Sequence, residues 1–422
     1  MVPGSRPGPR GRRFGGADLG RLEAVRPVFR TAPGRFGAGR RSLLARASAR
    51  GSPLRSLDWV LICAVVALTV LSTLLIWSAT KPELAQLGGD PQGFLKKQLL
   101  NVLIGFVLLG TVSMLDYRTL RTYAPFAYFL ACLGLVAVLT PLGATINGAR
   151  AWIVIGGGFQ VEPSEFVKVT LILVVAVILG ELREGDKAPR GRNLIVALAV
   201  SLPALGLVML QPDLSVVIVL AMIIFGMVVV SGTQLRWIGT LLLVTVAVGL
   251  FVWRLHLLKQ YQIARITAFV HPTANPSGSG YNASQALITI GSGGMFGKGL
   301  FHGAQTAGHF VPEQQTDFIF TVAGEELGFV GAIVIIALLG IVLARGLRIA
   351  AHADSQFGTM VAAGVVCWFV VQAFINIGMT IGIMPVSGLP LPFVSYGGTA
   401  TFANMIAVGL LQTVHKRHTI FS

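Results

Sequence analysis

The sequence predicts an all-α polytopic membrane protein of ten transmembrane helices, with a large extracytoplasmic loop between the seventh and the eighth. Three observations predict it. Of the 422 residues, 54% are apolar and only 12% charged, about half the charged share of a soluble domain. The apolar residues gather into runs of ~20, long enough to cross ~30 Å of hydrocarbon as helix. The connections between runs alternate between short basic turns and more polar segments.

Residues 1–56 read as a disordered, Arg-rich cytoplasmic tail, and residues 57–422 as one membrane domain. Up to Arg55 the chain holds 13 Arg and no Lys, against Asp18 and Glu23. Gly, Pro and Arg bury too little surface to fold alone, and the charge suits an anionic inner leaflet. Most of the net +16 therefore belongs to a tail, not to a nucleic-acid-binding fold. The apolar run that follows is too long for a cleavable signal and lacks a small-residue cleavage site.

In order, the runs are Leu57–Ala79, Lys97–Leu115, Tyr123–Thr140, Pro163–Leu182, Asn193–Leu210, Leu214–Val230, Trp237–Trp253, Glu326–Ala344, Gly358–Ile381 and Tyr396–Val414. An even count leaves both termini on one side. Arg118 and Arg121, then Arg183, Lys187, Arg190 and Arg192, then Arg236, Arg345 and Arg348, and finally Lys416 and Arg417 all fall on that side. The positive-inside rule makes it cytoplasmic. The opposite side receives 81–96, 141–162, the 211–213 turn, 254–325 and 383–395. No fixed-period repeat is present. Polar groups gather at one interface, whereas a transporter places them at mid-membrane between repeated halves. Cys63, Cys132 and Cys367 lie inside apolar runs, without a disulfide framework. The seven His form no ligand-spaced pair, so no protein-bound metal site is expected.

The chain is organised around Phe310–Glu326, FVPEQQTDFIFTVAGEE, which carries Glu313, Asp317, Glu325 and Glu326. Asp317 is the candidate catalytic base, and Glu313 is counted with the substrate-binding candidates. Thr316-Asp317 ahead of an apolar stretch also reads as a helix cap, and the two roles are compatible. In NGARAWIVIGGGFQVEPSEFVK, Pro163 suits the first position of a helix and Glu165 its first turn. Lys168 follows on the same face, one turn deeper. A local ion pair would suffice, but ionisable groups buried in a span are costly and mark sites. Arg150, in the preceding loop, is a further cation for anionic groups. Pro212 and Asp213 read mainly as turn chemistry.

Arg265 lies on an interfacial amphipathic segment, where an anchoring, snorkelling role is the plain alternative. Gly280–Gly299 is Gly-rich but fails as a Walker loop: Gly299 follows Gly297-Lys298 where Ser or Thr is needed, and Ser292 replaces the first Gly. It reads as flexible backbone close to a ligand, with Lys298 a substrate-binding candidate. Pro385, Pro390 and Pro392 forbid regular helix ahead of the last run. Ser395 and Tyr396 sit at its mouth, where structure outweighs substrate contact, though both remain candidates.

Together NGARAWI, EPSEFVK, QPDLS, IGSGGMFGKGL, PEQQTDFIF…EELG and GIMPVSGLPLPFVSYGG resemble the SEDS family, the RodA/FtsW peptidoglycan glycosyltransferases, from about Leu57 onward. GAQT at Gly303–Thr306 is more similar to the elongation (RodA) branch than to the division branch. The resemblance implies a ten-helix enzyme of the cytoplasmic membrane, both termini inside, that polymerises lipid II at the outer face. Asp317 matches the family's essential loop aspartate, and Glu165 and Lys168 its EPSE-type glutamate and lysine. Glu162 departs from the family, many members having Gln; an acid there would alter cation binding or pair with Lys168.

The implied reaction is an inverting displacement. An Asp of ordinary pKa ~3.9, ionised at neutral pH, takes the acceptor hydroxyl's proton. Undecaprenyl pyrophosphate then leaves, neutralised by Lys168, Arg150 and Arg265. No tightly bound cofactor is implied beyond a magnesium or manganese ion from solvent. The implied partners are a class B penicillin-binding protein and the elongation or division machinery; the chain has no SxxK and KTG pair of its own. A lipid II flippase and a non-catalytic scaffold are the readings of other classes.

Overall fold

The computed structural model describes residues 56–421 except 87, 147–148, 157–158, 182–187, 255–258 and 271–277. The tail expected over residues 1–56 lies outside the described residues apart from its last, as do Arg183 and Lys187 of the basic turn, Asn147-Gly148 of the first motif and the 271–272 end of the amphipathic segment.

Each of the ten runs falls on a helix. Helices α1 (Trp59–Gln86), α2 (Gly93–Met114) and α3 (Tyr117–Leu139) come first. After a short sheet follow α4 (Pro163–Leu179), α5 (Gly191–Leu210), α6 (Leu214–Val230) and α7 (Leu235–Arg254). The long loop carries α8 (Gln260–Val270), α9 (Ser279–Ser292), α10 (Ala304–Ala307) and α11 (Ile319–Glu326). Then come α12 (Gly328–Ala351), α13 (Gln356–Thr380) and α14 (Gly398–Phe421). Among the described residues seven helices are long and apolar enough to cross a membrane: α1, α2, α3, α5, α7, α12 and α13. Helices α4 and α6 are shorter, 17 residues each.

The packing is concentric. Helix α13 is the most enclosed of the seven, and α4 is buried along nearly its whole length. Around them α2 packs on α14, α3 on α4 and α6 on α13. Helix α7 has no buried residue, and its one substantial neighbour among the described elements is α6. In water such a helix would be an error; in hydrocarbon its apolar perimeter is already solvated.

Two departures from a purely helical reading position the site. Gly143–Ile146, Ala149–Gly156 and Phe159–Val161 form an antiparallel meander β1-β2-β3, pairing Gly143 with Ile153 and Ile153 with Val161. Its β-branched and aromatic residues suit a pleated surface, and it leads directly into Glu162 and α4. Secondly, the eighth run does not begin at Glu326 as one helix. Leu327 separates α11 from α12, and Gly328 has φ +68° with Gly297 N only 2.2 Å from where a Cβ would stand.

That contact corrects the reading of the Gly-rich stretch. Lys298 N and Gly299 N donate to Glu325 O and Glu326 O, both at 3.0 Å. A Cβ on Gly293 would stand 2.0 Å from Gly324 O. These glycines let one backbone approach another at the end of α11, and none of them lines the cleft described below.

The Pro-rich segment before α14 is irregular but answered by side chains. Gln372 Nε2 donates to Pro390 O at 2.7 Å, Ser72 Oγ to Val394 O at 2.7 Å, and Ser215 Oγ to Ser387 O at 2.6 Å. Non-helical backbone at this depth survives because protein groups replace the missing ladder.

Candidate active site

A cleft of about 400 Å³ opens at the end of the bundle where the sheet, the α8 segment and the Pro-rich segment meet. Its walls bring together five carboxylates, Glu162, Glu165, Asp213, Glu313 and Asp317, with the cations Lys97 and Arg265. The basic connections that include Arg345, Arg348 and Lys416 belong to the opposite ends of α12 and α14.

Asp317 is held by its backbone. Its N–H donates to Glu313 O at 3.0 Å, closing a tight turn in which Glu313 takes φ +51°. Its carbonyl accepts from Asn376 Nδ2 at 2.7 Å. The carboxylate lies beside Gly388, whose Cβ, if present, would stand 3.4 Å from Asp317 Oδ2 and 3.8 Å from Arg265 Nη2. The capping role does not appear: Phe318 occupies the N-cap of α11, and no side chain caps it. Nor does Asp317 keep an ordinary acidity. Desolvation in the cleft pushes it up to about 7, helped by the neighbouring Glu313 charge and opposed by Arg265. A carboxylate so placed is half protonated near neutrality, which suits a general base better than a pKa of ~3.9.

Arg265 does not snorkel. Its Nη1 donates to Ser387 O at 3.0 Å, and its guanidinium sits 5.7 Å from the Tyr261 ring. Tyr261 Oη and Gln262 Nε2 both donate to Pro212 O, tying α8 to the α5–α6 turn. That turn presents Asp213, whose Oδ1 caps α6 by accepting from Val216 N at 3.1 Å. Asp213 is both cap and cleft wall, and burial raises its pKa.

Glu165 and Lys168 form a buried pair at 2.8 Å, with side chains 2% and 0% exposed. Lys168 Nζ also donates to Gln372 Oε1 at 3.1 Å and sits 4.8 Å from the Trp368 ring centroid. Glu165 reaches the cleft, and its Oε2 is buried without a partner among the described residues. Lys168 lies behind it, outside the lining of the cleft, where it pairs with Glu165.

Three candidates are engaged elsewhere. Arg150 Nη2 and Nε donate to Thr140 O and Gly143 O, at 2.7 and 3.3 Å, tying β2 to the end of α3. Lys298 Nζ pairs with Glu325 Oε1 at 2.8 Å, away from the cleft. Ser395 Oγ accepts from Leu391 N at 2.7 Å inside the Pro-rich segment. Tyr396 does line the cleft, packed edge-on against Phe94 at 5.0 Å. The central acidic stretch is thereby split. Glu313 and Asp317 face the cleft, while Glu325 binds Thr306 and Lys298 and Glu326 accepts from Ser78.

The sequence reading missed Lys97 and Asn101, which stand four residues apart on one face of α2 and line the cleft. The signal was present: Asn101 falls four residues after Lys97, one helical turn on, in a largely apolar run. Asn101 is 3% exposed with Oδ1 unpartnered. Asn376 and Gln372 were also missed.

Comparisons with known proteins place the chain in a family. The family model described as cell cycle protein (FtsW, RodA, SpoVE) matches residues 58–420. Peptidoglycan glycosyltransferase MrdB of Escherichia coli is 35% identical over 87% of this chain and 95% of its own. A probable peptidoglycan glycosyltransferase FtsW of Trichlorobacter lovleyi is 36% identical over 86% and 93%. A solved chain described under the structural coordination of polymerization and crosslinking by a peptidoglycan synthase complex superposes with a TM-score of 0.70. It is 30% identical over 86% of this chain and 98% of that one.

Proposed function

The chain belongs to the cell cycle protein family of FtsW, RodA and SpoVE, and from that premise we propose that it is a membrane peptidoglycan glycosyltransferase that polymerises lipid II. The observation that carries the reading is one cleft holding a carboxylate poised near neutrality, Asp317, beside a fixed cation, Arg265.

Asp317 takes the proton of the acceptor sugar hydroxyl. The hydroxyl oxygen bonds to the donor's anomeric carbon as the carbon–oxygen bond to pyrophosphate breaks. The bonding pair leaves with undecaprenyl pyrophosphate, and the configuration inverts. Arg265 neutralises the departing charge; Lys168 and Arg150, engaged elsewhere, do not. Among the described residues no three His, Cys, Asp or Glu side chains gather as a metal site. A magnesium or manganese ion from solvent would supply further counter-charge to the pyrophosphate.

The basic ends of the helices point to the cytoplasm and the cleft to the outer face of the cytoplasmic membrane. GAQT at Gly303–Thr306 supports the elongation branch, and the MrdB and FtsW likenesses stand level at 35% and 36%. A class B penicillin-binding protein is the proposed crosslinking partner. Purified Asp317→Asn, assayed with lipid II alone and with that partner, should give no glycan ladder on a gel while still folding. Polymer of normal length from the variant would remove Asp317 from the reaction.

A further inference from the structure

Three carboxylates surround one lysine at the α4 end of the cleft. Lys168 is committed to Glu165 at 2.8 Å, which leaves Glu162 and Asp213 to repel each other across a desolvated wall. Asp213 accepts a backbone N–H at the N-terminus of α6, an arrangement that favours its charged form. Glu162 has no such donor. Its side chain does not cap α4, whose first turn is served by Glu165. Glu162 Oε1 accepts only a hydroxyl hydrogen bond, from Ser164 Oγ at 2.5 Å. Its Oε2 has no protein partner among the described residues, and the residue lines the cleft. Other groups facing this wall are Thr399 on α14, bonded to the Glu162 backbone N–H at 3.2 Å, with Lys97 on α2, Arg265 on α8 and Asp317 elsewhere around the cleft.

We propose that Glu162 works as a neutral carboxylic acid, held by Ser164 through Oε1 and donating a hydrogen bond from Oε2 to an acceptor oxygen on the polar head of the substrate. Two ionised carboxylates cannot both be accommodated there for one committed cation, and a neutral acid is the form that presents a donor to an anionic lipid head. Desolvation, with Glu165 and Asp213 adding to it, pushes Glu162 up to about 8, consistent with this assignment. The substrate half of the proposal rests on the glycosyltransferase reading of the cleft; the protonation half does not.

The test has two arms on the purified full-length chain. Infrared difference spectra across a pH titration, taken in an Asp317→Asn background because Asp317 itself lies near 7, should show a carboxylic-acid carbonyl component that fades through about pH 8. Glu162→Gln should remove that component. Its absence from the Asp317→Asn parent, or its full persistence after Glu162→Gln, overturns the protonation whether or not the protein polymerises lipid II. In the activity arm, Glu162→Gln keeps a donor in the same place, so it should retain clearly more polymerisation than Glu162→Ala and lack the decline that ionising Glu162 causes as pH rises through about 8. Glu162→Ala should lose about tenfold, the scale of one hydrogen bond. An inactive Glu162→Gln that remains folded overturns the donor role.

Discussion

A single amide nitrogen of Asn376 holds the backbone of Asp317: Nδ2 donates to Asp317 O and to Leu389 O, 2.7 Å to each. The turn bearing Asp317 and the Pro-rich segment bearing Gly388 are thus pinned to one residue of the enclosed helix α13. Asn376→Ala should leave two buried carbonyls without a donor, costing about 1–3 kcal/mol for each group stranded. It should also lower kcat about 10²-fold through misplacement of the carboxylate. Polymerisation kinetics beside a thermal melt check both numbers; a normal kcat in a folded variant would show that the clamp does not matter.

The acidity of Asp317 sets the low-pH limit. A base pushed up to about 7 is protonated below that value, so kcat/KM should fall tenfold per unit on the acid side. The stability sign is opposite. A carboxyl whose folded pKa lies above its unfolded value favours folding at low pH and loses that contribution as pH rises through about 7. Asp317→Asn should therefore melt higher than wild type at pH 8, and the two should converge only at about pH 3, below the unfolded pKa of ~3.9. Equal melting at both values would mean that the cleft does not desolvate the side chain.

The Glu165–Lys168 pair should behave as a unit. Lys168→Met strands a buried carboxylate and should cost about 3–5 kcal/mol, whereas adding Glu165→Gln should recover most of that loss. Activity should not return in the double variant, because Glu165 reaches the cleft. Denaturation in detergent and gel assays separate the two effects.

Lys97 and Lys96 are adjacent but differently placed. Lys96 pairs with Asp90 on an exposed surface at 2.7 Å, while Lys97 lines the cleft. Lys97→Ala should raise KM for lipid II with kcat little changed, Lys97→Arg should restore it, and Lys96→Ala should be silent. A KM effect of equal size at both positions would point to general surface charge.

The bundle was legible because hydrocarbon imposes a local rule: a segment either carries ~20 apolar residues or it does not cross. Asp317, Glu165 and Arg265 were legible as charges in places where charge is expensive. What escaped was decided by which neighbour a polar group meets. Arg150 and Lys298 carry the same charge as Arg265, but one bonds carbonyls at the end of α3 and the other meets Glu325. The glycines from Gly293 to Gly299 answer the backbone of α11, a contact some 30 positions away in the chain. The sheet escaped because eight residues of β2, ARAWIVIG, look like any apolar stretch until their partners are known.

Helix α7, with no residue buried, answers to oil more than to its own protein. Shuffling the order of its leucines and valines while preserving its length should go unnoticed by the fold, a freedom that the tightly surrounded α4 does not share. Variation between strains ought to accumulate along it first, and a tag or dye placed there would report on the surrounding acyl chains more than on the reaction.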